Sequence, residues 1–368
     1  HGWDERIAAD FDVVSPEAAE AAAAAAAIKN AGRTHARHLT TDQKNAERLK
    51  QHHGREIMFA AEEWYVFTGT HWAMDTPAVK RTAMNLSSYV HAEAERLAAK
   101  PAGSEEESKA QEGILKALKA WAKKCEMKAT QDAAVALLSN LVGVKADALD
   151  RGPRLLNCRN GTVDLSTGDL RPHDPEDLIT KCIPVDYNPH AKAPRFEAAL
   201  AQITCEERLD HKPLAEFLQK WAGYGATGET REQKIVVHYG SGGNGKTTLI
   251  NCIEAALGEY AGTAAPGLLV EGGDRRHPTE IADLMGMRLV TASESEEGAA
   301  LAEGLVKQIT GGDRLRARRM REHFFEFAPT HKIQLLTNHR PQIKGQDFGI
   351  WRRILLVPYR ASFGSAEE

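Results

Sequence analysis

The chain has 368 residues, 42% of them hydrophobic and 27% charged, with a formal net charge of −4. This is the balance of a soluble globular protein of two or three domains; it excludes a disordered polymer and a wholly basic nucleic-acid coat. No apolar run reaches the ~18 residues a membrane helix needs, and the polar, acidic N-terminus is not signal-like.

The five cysteines (Cys125, Cys158, Cys182, Cys205 and Cys252) include no CxxC pair. That argues against a zinc ribbon or a disulfide framework, and a reducing cytoplasm is the default compartment. Residues 1–40 read as an arm or linker. Ser15 and Pro16 suit the N-cap and first position of a helix that the alanines 21–27 continue on propensity. Thr41-Asp42 caps a short helix. Trp64–Phe67, Thr68-Gly69-Thr70 and His71-Trp72 predict a hairpin. Apolar residues at Val79, Ala83, Leu86, Val90, Ala94 and Leu97 predict one helix from Pro77 to Leu97. Residues 101–108 are polar and acidic and read as a loop, with helices over 109–125 and 129–142. Residues 153–187 carry turn signals at Asn160-Gly161 and Thr167-Gly168, which predict a small β-unit with a proline-rich exit. Helices follow at 195–203 and 212–224. Beyond Lys234, strands Ile235–Tyr239, Leu289–Ala292, Ile333–Thr337 and Ile354–Val357 alternate with helices. Continuous apolar strands of this kind predict a parallel sheet in an α/β nucleotide-binding domain over about 205–363.

Gly240-Ser241-Gly242-Gly243-Asn244-Gly245-Lys246-Thr247-Thr248 matches GxxxxGK[ST] between a strand and a helix. Glycines let backbone N–H groups turn inward around phosphate oxygens, and the helix N-terminus adds partial positive charge. Lys246 would reach the β- and γ-phosphates of ATP, and the Thr247 hydroxyl would ligate Mg²⁺. The Leu289 strand ends in Glu294, followed by Glu296; either carboxylate could position metal and water, or both could belong to a solvated acidic loop. Asn338, after the third strand, could hold the attacking water or simply cap a loop. Arg352 and Arg353 could supply a finger to a neighbouring subunit or be ordinary surface arginines. Lys307, Arg314, Arg316, Arg318, Arg319 and Arg321 form a basic segment, with a Gly311-Gly312 turn suggesting a hairpin that meets a phosphate backbone or water.

These motifs in this order resemble the C-terminal half of phage- and plasmid-encoded primase–helicases of the satellite-phage and poxvirus type, which carry a superfamily 3 helicase domain. The resemblance runs from about residue 41 to 360. It rests on Asp42–Arg48, Trp64 with Gly69 and Trp72, Leu155–Asn157 with Asn160–Gly168, Gly223-Tyr224, Thr227-Gly228 and the glycine loop. It continues through Arg288–Val290 with Glu294, Lys307–Asp313, Phe325–Phe327 with Pro329, Thr337–His339 with Pro341, and Trp351–Arg353. The resemblance implies an AAA+-like P-loop domain over 205–368 behind a mainly helical α+β collar over 41–204. It assigns Lys246 and Thr247 to Walker A, Glu294 (with Glu296 beside it) to Walker B, Asn338 to the sensor, and Arg353 or Arg352 to the finger. Arg318 and Arg321 fall in a DNA-facing hairpin that is arginine-rich where relatives commonly carry lysine. It also implies a homo-oligomeric, usually hexameric, ring that threads single-stranded DNA and unwinds forked duplex in a bacterial host cytoplasm, with no membrane partner. Residues 1–40 are too few for a primase domain, so primase activity is not expected in this chain; a winged-helix domain often follows the last strand in this family and does not fall within these 368 residues. The competing readings are a P-loop phosphotransferase and a nucleotide-switched assembly ATPase that does not unwind.

Overall fold

The computed structural model describes residues 16–205, 212–271, 278–294, 299–320 and 323–364. Ser15, Glu296 and Arg321 lie outside them. The chain divides into two compact units, one ending at Phe67 and resuming over Met74–Ala146, the other comprising Thr68–Ala73 and residues from Asp147 onward.

The first unit contains α1 (Pro16–Leu39), α2 (Asp42–His53), β1 (Ile57–Ala60) and β2 (Glu63–Phe67). The threonine cap is as expected: Thr41 Oγ1 accepts from Lys44 N at 3.0 Å. β1 and β2 pair antiparallel, with Phe59 opposite Trp64. The short strand β3 (Trp72–Met74) follows the predicted turn, where Gly69 takes φ +92° and Thr68 N donates to His71 O at 2.9 Å. The expected single helix over Pro77–Leu97 is two, α3 (Thr76–Ala83) and α4 (Leu86–Ala98), parted at Met84 and Asn85. The apolar spacing runs unbroken across this joint, so the periodicity conceals it; the signal is Asn85, a residue type that favours helix N-termini. The acidic stretch is half helix as well: α5 (Glu105–Cys125) opens on Ser104 Oγ, which accepts from Glu107 N at 3.2 Å. Glu105, Glu106 and Glu107 occupy its first turn, where the helix dipole favours negative charge. With α6 (Lys128–Leu141), these helices bury Leu49, Leu86, Val90, Leu118 and Leu138 in one core. The guanidinium of Arg48 is buried there and partnered: it donates to Asn45 Oδ1 and Leu39 O, both at 2.9 Å, and pairs with Glu93 at 2.6 Å.

From Asp147 onward the second unit contains the expected β-unit, an antiparallel sheet of β4 (Leu155–Cys158), β5 (Gly161–Asp164) and β6 (Asp169–Arg171). Helices α7 (Pro194–Thr204) and α8 (Lys212–Ala226) lead to β7 (Ile235–Tyr239) and α9 (Lys246–Leu257). Next come β8 (Ala261–Thr263), α10 (Pro278–Ala282), β9 (Leu289–Glu294) and α11 (Glu303–Ile309). The unit closes with β10 (Leu315–Ala317), β11 (Phe325–Phe327), β12 (Lys332–Thr337), α12 (Phe348–Trp351) and β13 (Ile354–Pro358). Five strands form one sheet in the order β13-β7-β12-β9-β8, and every pair in it is parallel. The edge strand β8 was not anticipated, because Ala-Gly-Thr is too short and too weakly apolar to register as a strand.

Alternate residues of the sheet face two different cores. Ile235, Val237, Val290, Ala292, Ile333 and Leu335 pack on one side, and Val236, Leu289 and Val357 pack with Trp221 and Leu249 on the other. Burial on both faces is what a parallel sheet requires, and all six residues of β12 are buried. Thr337 is in register with both Tyr239 and Glu294, and Pro358 with Tyr239. Four strands therefore end level, and the segments that follow them leave from one edge. Among the described residues no helix is long and apolar enough to cross a membrane.

Candidate functional site

The segment Gly240–Gly245 joins β7 to α9 at this level edge. Gly245 caps α9 with φ +77°, and a Cβ there would sit 2.6 Å from Ile203 Cγ1, so glycine is required by both torsion and space. Asn244 is 2% exposed, and its Oδ1 accepts from Lys246 N at 3.3 Å, fixing the loop from within. Ser241, Gly242, Gly243, Thr247 and Thr248 are exposed along the mouth, and a Cβ at Gly242 would meet nothing within 4 Å.

Lys246 is 6% exposed. Its ammonium donates to Gly240 O at 3.1 Å and to Asn338 Oδ1 at 3.4 Å. Both acceptors are neutral, and among the described residues no carboxylate pairs with it. Burial accordingly holds its pKa below the ordinary lysine value. Two residues 92 positions apart thus meet at the end of β7 and β12. β9 lies on the far side of β12, so the backbone of Glu294 is two strand spacings, ~10 Å, from that of Tyr239.

Beneath the loop runs a buried chain of polar groups on one face of the sheet. Trp221 Nε1, which can only donate, reaches Gln334 Oε1 at 3.0 Å. His238 Nε2, 3.3 Å from the same oxygen, must therefore also carry its proton. His238 Nδ1 then accepts from the Tyr359 hydroxyl at 2.9 Å. Gln334 Nε2 donates to Thr291 Oγ1 at 2.8 Å, and that hydroxyl donates to Glu254 Oε1 on α9. Burial, with the Lys246 charge adding to it, lowers the His238 pKa to about 4, so its ring is neutral at neutral pH as the chain requires. No motif marks these residues in the sequence. The one available signal was a single polar letter inside each apolar strand: His238, Gln334 and Thr291.

The other predicted residues lie elsewhere. Arg352 and Arg353 precede β13, whose first residue pairs with the first of β7, so within one chain they occupy the edge opposite Lys246. Arg352 Nη2 donates to Gln233 Oε1 at 2.5 Å, and Arg353 donates to Thr310 Oγ1 at 3.2 Å and Gly349 O at 2.5 Å. The basic segment does form a hairpin, but Gly311-Gly312 precedes it; the strands are β10 and β11, with Arg316 opposite Glu326. Leu315 and Ala317 are buried while Arg314 and Arg316 are exposed, giving one charged face. Arg316 and Arg318 lie 4.5 and 4.9 Å from the centre of the Phe324 ring, and Arg319 lies 5.9 Å from that of Phe325. Arg314 is tied to Glu326 O at 2.9 Å. Lys307 is on α11 rather than the hairpin and pairs with Asp347 at 2.6 Å.

The fold and site together define an α/β protein with an open parallel sheet whose glycine loop feeds a helix N-terminus. Residues 46–205 match the family described as D5 N terminal like, and residues 238–353 match a family of unknown function, DUF5906. The chain is 28% identical over 219 residues to "Putative helicase L207/L206" of Acanthamoeba polyphaga mimivirus, covering 58% of this chain and 22% of that protein. It is 25% identical over 264 residues to "Putative helicase 184R" of Invertebrate iridescent virus 6, covering 68% of this chain and 27% of that protein. The chain thus spans about a quarter of the length of these relatives. These matches are to proteins named as putative helicases of large DNA viruses and to the D5 N terminal like family over part of the chain. A solved structure of the NrS-1 C terminal region aligns over 83% of this chain and 58% of that one, at 10% identity and a TM-score of 0.43. A score this low does not establish a shared fold.

Proposed function

We propose that the chain is the ATPase portion of a superfamily 3, AAA+-like DNA helicase acting in replication of phage, plasmid or other mobile DNA. The observation that carries this reading is Lys246: a buried ammonium at a helix N-terminus with neutral partners, in reach of Asn338. No carboxylate among the described residues pairs with this group, and a triphosphate would supply a counter-charge. The two relatives named as helicases support the choice among phosphate-binding chemistries.

In this reading the backbone N–H groups of 240–245 and the Lys246 ammonium hold the β- and γ-phosphates of ATP. Mg²⁺ is a hard cation that prefers oxygen ligands, and the exposed Thr247 hydroxyl with the Glu294 carboxylate fits that preference. A metal held by these residues would supply positive charge against the transferring phosphoryl group. Glu294, with Glu296 nearby, polarises the attacking water. Asn338, released from Lys246 when phosphate takes its place, orients that water. Arg353 stands at the opposite edge of its own sheet, so it acts on the nucleotide of a neighbouring subunit in a hexameric ring, with Arg352 beside it. The exposed arginines of β10 and the segment after it grip single-stranded DNA and move it as hydrolysis proceeds.

The test is ATP hydrolysis with and without single-stranded DNA, together with strand displacement on a forked duplex. DNA should stimulate hydrolysis, and Lys246→Ala should abolish it. Hydrolysis that persists in Lys246→Ala overturns the assignment. Hydrolysis without strand displacement selects the assembly ATPase instead.

A further inference from the structure

The chain leaving β13 does not turn away from the glycine loop. Tyr359 is 4% exposed, and its N donates to Tyr239 O at 2.9 Å. The Tyr359 hydroxyl is held by His238, and its carbonyl accepts from Asn244 Nδ2 at 3.5 Å. Four residues on, Phe363 N donates to Gly243 O at 2.8 Å. Residues 359–363 are thus strapped along the loop, gripped at both ends by loop residues. Two apolar side chains close over Gly245: Ile203, and Phe363, whose Cε2 would lie 3.2 Å from a Cβ at that position. Phe363 is 44% exposed although its backbone is fixed. One edge of the ring is already buried on the loop, and a ligand face covering the open part would remove further apolar surface from water.

We propose that Phe363 is the stacking platform for the base of the bound nucleoside triphosphate, with Ile203 beneath it. This rests on the nucleotide reading above and deepens it. The loop accounts for the phosphates, which are polar and anionic. A nucleobase instead presents a flat π-face, and a half-exposed phenyl ring at the rim of a phosphate cradle offers the matching surface. Stacking does not discriminate among bases, because every base has a π-face. ATP and GTP therefore gain alike from Phe363.

The experiment compares binding of ATP and of inorganic tripolyphosphate, which has the phosphates but no base, to the wild type and to Phe363→Ala, Phe363→Trp and Lys246→Ala. Phe363→Ala should weaken ATP by about 5- to 100-fold, leave tripolyphosphate unchanged, and be rescued by Phe363→Trp. If Phe363→Ala weakens both ligands equally, the ring merely braces the loop and the proposal fails. It also fails if ATP binding is unchanged. Lys246→Ala should weaken both ligands; if it does not, the phosphate assignment is at fault, a result separate from any effect at Phe363.

Discussion

His238 and His331 are buried imidazoles at 0% and 2% exposure, and both have pKa values lowered to about 4. Burial is the main cause for each, with Lys246 adding to it at His238 and Lys332 at His331. In the unfolded chain both rings titrate near 6.5. Between pH 6.5 and about 4 the unfolded state therefore binds more protons than the native state, and stability must fall as the pH falls through that window. Urea unfolding midpoints measured from pH 7 to pH 4 should show this decline, and His331→Leu should flatten it; a flat profile in the wild type contradicts neutral buried rings. Histidine, glutamine and threonine letters in apolar strands are visible to any reader of the sequence. That they point at one another is not, because facing depends on which strands become neighbours.

At the scale of the elements, the ladder through Gln334 joins β7, β12 and β9 to α9, which follows the loop. Gln334→Leu keeps a similar size but leaves the Trp221 N–H and the His238 N–H without their acceptor and the Thr291 hydroxyl, still donating to Glu254, without the donor it accepts from. Stranding buried polar groups costs ~1–3 kcal/mol each when no water replaces the partner. The variant should lose about 2–4 kcal/mol of stability in denaturant unfolding, several times the effect of the same change at an exposed position. A loss below about 0.5 kcal/mol would show that the ladder is not formed. The strands themselves were legible, since continuous apolar runs bounded by loops have few other fates. The joint between α3 and α4 was not, because 83 and 86 still lie on one helical face. Nor was the early start of α5, where three glutamates read as loop letters but are well placed in a first turn.

At the scale of the whole molecule, the proposed site is incomplete in one chain. Lys246 and Arg353 stand at opposite edges of the same sheet, ~13 Å of strand apart. If subunits share sites, mixing inactive Lys246→Ala with inactive Arg353→Ala should restore part of the ATPase activity, because some interfaces then pair an intact loop with an intact arginine. The measurement is hydrolysis as a function of mixing ratio, and a mixture no more active than its components would rule out sharing through Arg353.

Much of this protein is written locally. The glycine loop, its strand and helix, the capped α2 and the antiparallel β4–β6 unit depend on torsional preferences and apolar spacing within a few residues, and these act before any tertiary contact exists. The level row of strand ends, the meeting of Lys246 with Asn338, the directed ladder from Tyr359 to Glu254 and the strap that brings Phe363 to Gly245 are different in kind. They depend on the strand order β13-β7-β12-β9-β8 and on its register. Strand neighbours are selected by packing two cores on opposite faces of one sheet, and that choice is made by the folded chain as a whole.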